Sequence, residues 1–119
     1  MIEALGCSER QGMLIPFIIT VSGGTPTMTE GGNFLSVTDG GVGIYTLAFG
    51  GQYGMASART PVILGVTALS TTGNELIANV VEASVATTGF SIEVNDDAGT
   101  ATDTTVHGAV MWFGSADRK

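Results

Sequence analysis

The sequence predicts an all-β domain: an antiparallel β-sandwich of seven to eight short strands, jelly-roll-like or Greek key in order, with a β-barrel as the second choice. Three observations predict it. Gly-Gly doublets recur at Gly23-Gly24, Gly31-Gly32, Gly40-Gly41 and Gly50-Gly51, spaced by eight, nine and ten residues, the interval at which short strands reverse in sandwiches and barrels. Between and beyond the doublets, apolar residues alternate with polar or small ones. Only one stretch has apolar residues at helical spacing.

Taken in order, the opening MIEALGCSERQG has no hydrophobic period, and residues 1–12 are expected to be an arm that orders against a partner. The sandwich domain is expected over residues 13–119. Its first strand candidate is Phe17 to Val21, with Pro16 opening the strand or lying on an edge, where a missing N–H donor is tolerated. Phe34 to Thr38 follows. In Gly43 to Phe49, Tyr45, Leu47 and Phe49 fall on one face and Thr46 and Ala48 on the other. Val62 to Ala68 is the next candidate. Asn74 to Ala86 could compete as a helix through Leu76, Ile77, Val80 and Val81, but its valines are β-branched and Thr87-Thr88-Gly89 reads as a turn, so Leu76 to Val85 is assigned to a hairpin strand. The cleanest alternation is Gly89 to Asn95, where Phe90, Ile92 and Val94 interleave with Ser91, Glu93 and Asn95. Val106 to Phe113 closes the chain's strands.

Composition narrows the function classes. The formal charge is -7, with four basic residues among 119, too few for the clustered Lys and Arg that bind phosphates, so nucleic acid is not expected as a partner. Charged residues make up 13% of the chain against a usual value of about 25%. Depletion of charge marks the centres of protein interfaces, and the chain is expected to assemble with other proteins. The longest apolar run, Met13 to Val21, is interrupted by Pro16 and falls far short of the ~20 residues of a membrane-spanning helix. No basic segment leads into an apolar one at the N-terminus, so no secretory signal is expected and synthesis is placed in the cytoplasm.

Chemistry-bearing constellations are sparse. Cys7 is the only cysteine and His107 the only histidine. Cys7 is read as a small hydrophobe, since a catalytic thiol needs a base. His107 lies in the strand VHGAVMWF, away from any GxSxG nucleophile setting, and zinc would need both residues. Asp96-Asp97-Ala98-Gly99 lacks the DxDxDG spacing of a calcium loop and reads as a turn; a shallow calcium site there stays open. No GxGxxG or GxxxxGK[ST] pattern makes a phosphate cradle of the glycine doublets. The chain is expected not to be an enzyme, with no cofactor and no small-molecule substrate.

The residues expected to carry function are contacts. Trp112, Phe113 and Met111, with Phe17 and Ile18, are the candidate interface side chains, because aromatic residues and methionine are enriched in interfaces. Alternation puts Trp112 with Val110 on one face of their strand and Phe113 with Met111 and His107 on the other. Both faces then carry large apolar groups, so one is expected to cover this domain's core and the other a neighbouring subunit or a second layer.

GIYTLAFGGQY, a strand near Asn79 to Val85, TTGFSIEVNDDAGTATD and VHGAVMWFG, in that order over residues 43–114, resemble bacteriophage virion-surface β-sandwich proteins. These are the small capsid decoration, or cement, proteins and the C-terminal modules of tail fibres. The closing strand departs from that pattern in carrying His107 and Trp112. The resemblance implies a viral structural protein at the virion surface, a homotrimer in partnership with the major capsid protein. Without repeats or heptads for a fibre shaft, the expected role is a decoration protein clamping neighbouring capsid subunits. The alternative is a receptor- or glycan-binding module of a tail fibre or collar, for which Gln52 and Tyr53 are the only aromatic-amide pair.

Overall fold

Strands form where alternation meets a side that can be buried. The computed structural model describes residues 12–50, 56–57, 59–70 and 75–114, and over these it contains eight strands: β1 Gly12–Ser22, β2 Thr25–Glu30, β3 Leu35–Asp39, β4 Ile44–Phe49, β5 Val62–Ala68, β6 Leu76–Val80, β7 Gly89–Asp96 and β8 Val106–Phe113. Two four-stranded antiparallel sheets result, a first ordered β2-β1-β8-β5 and a second ordered β3-β4-β7-β6. The fold is a β-sandwich, as the alternation predicts.

The inward positions of the two sheets supply one core. Ile15, Phe17, Ile19, Val106 and Val110 come from the first sheet, and Leu35, Tyr45, Leu47, Phe49, Phe90, Ile92 and Val94 from the second. The rings of Phe17 and Phe90 meet across the gap, tilted at 55° with centroids 6.2 Å apart, the offset geometry that aromatic quadrupoles favour.

Glycine doublets mark two kinds of reversal. At Gly23-Gly24 both residues have positive φ (58° and 83°) and Ser22 pairs with Thr25, the two-residue hairpin whose twist matches its strands. Gly40-Gly41 turns β3 into β4, with the Gly41 N–H donating to Asp39 Oδ1 at 2.9 Å. Gly31-Gly32 and Gly50, by contrast, stand where the chain crosses from one sheet to the other.

Several elements differ from expectation. β1 begins at Gly12 rather than Phe17, so Gly12 of the expected arm is strand, while residues 1–11 and Cys7 lie outside the described residues. Pro16 is inside β1 and pairs with Ala109, but β2 reaches only to Ile18, which leaves Pro16 on an edge among the described residues. The strand expected over Leu76 to Val85 ends at Val80 and is followed by a single 3-10 turn, Glu82–Ser84. Ser84 fixes that turn: its hydroxyl donates to the Val81 carbonyl at 2.6 Å and accepts the Ser91 N–H at 2.8 Å. β2 was not foreseen at all.

Tyr45 ties the sheets together at the β7–β8 connection. Its buried hydroxyl accepts the Thr104 N–H at 2.9 Å and faces the Thr104 carbonyl at 3.1 Å and Asp103 Oδ1 at 3.4 Å as acceptors for its own proton. Burial above all, with the Asp103 charge adding and the Thr104 hydrogen bond opposing, raises the phenol above its ordinary value of 10. The neutral phenol is therefore the form the native state favours. Its contribution is complete below pH 10 and is lost above it, because the unfolded chain releases a proton that the folded chain retains. Tyr45→Phe is expected to cost about 1–3 kcal/mol at neutral pH and to flatten the alkaline fall, both read from urea midpoints between pH 7 and 11.

Candidate functional site, an apolar sheet face

The two sheets present opposite characters outward. In the second sheet, the residues facing away from the core include Ser36, Thr38, Thr46, Ser91, Glu93 and Asn79, with Ile44 and Ile77 interspersed. In the first sheet, register stacks three cross-strand rows over β1, β8 and β5: Leu14–Met111–Val62, Pro16–Ala109–Gly65 and Ile18–His107–Thr67. Their centre is almost wholly apolar. Leu14 is 54% exposed, Val62 50% and Leu64 55%, and among the described residues no strand or turn lies over them.

A register shift between Ile63 and Gly65 makes this face more prominent. It inserts Leu64 as an extra residue in β5 and points it outward, the expected effect of a bulge. Beside Leu64, the absence of a side chain at Gly65 leaves an open depression of about 330 Å³ bordered also by Thr67, His107, Gly108 and Ala109. On its other side Gly108 is occupied from below: a Cβ there would run into the Phe17 ring. The patch is rimmed by hydroxyls, with Thr20 and Thr29 hydrogen-bonded at 2.8 Å.

Of the eight carboxylates among the described residues, Glu30 comes to this face, opposite Ile18 at the margin, and Glu93 to the outer side of the second sheet. The other six, Asp39, Glu75, Glu82, Asp96, Asp97 and Asp103, stand at strand ends or in connections between strands. Arg59 stacks over the Phe113 ring at 4.2 Å from its centroid at one end of the face, a cation–π contact.

The five expected contact residues divide. Met111, Phe113 and Ile18 are on the outer side of the first sheet, half-buried. Trp112 pairs with Met13 on the inner side and packs against the core. Phe17 is 1% exposed, and its assignment as a surface contact is corrected: odd-numbered residues of β1 point inward, so its ring fills the core. Leu14, Val62 and Leu64, the most exposed members of the patch, were not foreseen. For Leu14 the signal available was the apolar run from Met13, which a strand with one wet face does not need.

The chemical candidates resolve into structure. Asp96 Oδ1 accepts the N–H groups of Ala98 and Thr100 at 2.9 and 2.8 Å, the self-bonded turn of an Asx residue. Asp103 Oδ1 accepts the Gly43 N–H at 2.7 Å. His107 is exposed in the depression described above, whose lining contains neither a carboxylate nor a Ser or Cys hydroxyl or thiol. Among the described residues, no three His, Cys, Asp or Glu side chains gather as metal ligands do, and no helix is long and apolar enough to cross a membrane. Gln52 and Tyr53 lie outside the described residues.

Comparison with protein-family models, with curated proteins and with solved structures finds no match to this chain.

Proposed function

We propose that this chain is a structural assembly subunit, a virion-surface protein of the capsid decoration type that binds neighbouring protein subunits together. The observation that supports this reading is the apolar face of the first sheet, over which no described strand or turn lies. A patch built from Leu14, Ile18, Val62, Leu64, Ala109 and Met111 and approached, among the described residues, by a single carboxylate gains free energy when another protein surface removes it from water. Rigid strands hold the patch, so little conformational freedom is lost on docking. The resemblance of residues 43–114 to phage decoration and tail-fibre modules narrows this general assembly role to the shell of a virus particle.

The test is co-purification. When particles of the virus encoding this chain are banded on a density gradient, the chain is expected in the particle band in fixed proportion to the major shell protein. Recovery only in the slow-sedimenting soluble fraction overturns the reading.

A further inference from the structure

We infer that the open edge of β1, from Gly12 to Pro16, is a strand-addition site, and that its occupant is the segment of this same chain that leads into β1, residues 1–11. The inference stands apart from the assembly reading and gives the N-terminal arm a partner within its own molecule.

The edge exists because β1 outruns its neighbour. β1 has eleven residues and β2 six. β8 pairs with Gly12 to Ile19, whereas β2 pairs only with Ile18 to Ser22, so Gly12 to Phe17 have a described strand on one side alone. Past Ile18 the chain of β2 turns off at Gly31, where a Cβ would strike the Pro16 carbonyl oxygen. A groove of about 480 Å³ is left in line with β2, between Leu14, Ile15 and Pro16 on one side and Met28 to Phe34 on the other.

The hairpin tells which backbone groups face that groove. Ser22 and Thr25 flank the two-residue turn and exchange its hydrogen bonds. Along a strand the direction of N–H and C=O alternates, so Thr20, Ile18, Pro16, Leu14 and Gly12 all turn toward the β2 side. The groove therefore receives the N–H and C=O of Gly12 and Leu14 and the C=O of Pro16. Pro16 stands where its missing donor costs the pairing with β8 nothing. A row of donors and acceptors at strand spacing is matched by one kind of ligand, another extended backbone.

Connectivity selects which backbone. A strand in line with β2 runs antiparallel to β1, and residues 1–11 enter β1 at Gly12, the end of the edge away from Gly31. A chain that comes along the groove and reverses by a hairpin turn has that direction. Its tether holds it at an effective concentration of millimolar order, an advantage no separate peptide has. The polar stretch Ser8-Glu9-Arg10-Gln11 suits the turn, with either Arg10-Gln11 or all four residues as the loop, both ordinary hairpin lengths. Either loop sets odd-numbered arm residues opposite Gly12, Leu14 and Pro16. Leu5 and Cys7 then extend the apolar outer face beside Leu14, and the small residues Ala4 and Gly6 turn inward on the side of Ile15.

Residue-resolved amide hydrogen exchange of the full chain, followed by NMR, tests this. The Leu14 N–H is the discriminating probe, because Met13 and Ile15 donate toward β8 whatever occupies the other edge. Leu14 is expected to exchange at least about a hundredfold more slowly than an unbonded amide. Leu5→Pro with Cys7→Pro removes the donors that the arm turns toward β1 without shortening the chain. Leu14 is then expected to exchange rapidly while Met13 and Ile15 stay slow, which separates lost pairing from lost folding. Should the prolines unfold the domain, the unsubstituted chain still decides: the Gly6 α-protons are expected to show a nuclear Overhauser contact with the α-proton of Met13 or Ile15, the close, non-hydrogen-bonded pairs of the ladder. Rapid Leu14 exchange in the unsubstituted chain, or absence of that contact, overturns the inference. So does slow exchange that survives the prolines in a folded chain, which puts another segment on the edge. Protection that rises with protein concentration assigns the arm to a neighbouring copy and overturns it as well.

Discussion

Phe17→Ala is expected to lower the unfolding free energy by about 3–5 kcal/mol, the range for removing a fully buried aromatic ring from a core. The ring is 1% exposed, meets Phe90 at 6.2 Å and underlies Gly108 of the neighbouring strand. Gly108, against which the ring packs, has no side chain to fill the gap. A domain of this size holds about 5–15 kcal/mol in all, so the loss is a large fraction of the whole. Urea unfolding followed by the fluorescence of the single tryptophan, Trp112, measures it. A change under 1 kcal/mol would mean that Phe17 faces outward and that the two faces of β1 have been exchanged.

Gly43→Ala is expected to cost about 3 kcal/mol or more, combining left-handed strain with overpacking against backbone. Gly43 has φ of 71°, and a Cβ on it would lie 2.6 Å from the Val94 carbonyl oxygen and 2.8 Å from the Thr102 nitrogen. Both are backbone atoms bonded to each other, the Thr102 N–H donating to the Val94 carbonyl at 3.1 Å, and Gly43 is fixed beside them: its N–H donates to Asp103 Oδ1 and its carbonyl accepts the Val94 N–H at 2.7 Å. Nothing there can swing aside. Gly23→Ala is the matched comparison, since Gly23, with φ of 58°, is also in the left-handed region but has open space around its Cβ position. The difference between the two urea midpoints isolates the steric part, and equal losses would remove it.

How far the sequence could be read depended on whether a strand has one wet face. β4 and β7 do, and their alternation sets Tyr45, Leu47 and Phe49, and Phe90, Ile92 and Val94, on one face of each strand, the face that forms the core. β1 does not. Met13, Leu14, Ile15 and Pro16 run together without a period because Leu14 and Pro16 face outward on a side that is itself apolar, and the strand was placed five residues late. The same property that hid the strand marks the candidate interface. β2 failed for the opposite reason: in TPTMTE only Pro26 and Met28 are apolar, and a proline within a run argues against a strand unless it lies on an edge. β2 is such an edge, and Pro26 pairs with Val21 from its inner side. For Leu64, no periodic reading suffices, since a bulge shifts every later residue of β5 by one position.

The strand order also governs when the molecule can form during synthesis. β8 is the central strand between β1 and β5, with Gly12 paired to Phe113 and Ala68 to Val106. Until translation delivers Val106 to Phe113, β1 and β5 have no neighbour in common and half of the domain waits as an exposed apolar ribbon. Such long-range pairing is slow, and the nascent chain spends that interval displaying Met13 to Val21 to whatever is near. A ribosome-bound chain stopped before Val106 is accordingly expected to be cut by protease in β1, with protection appearing once the chain is extended far enough for Val106 to Phe113 to clear the ribosome.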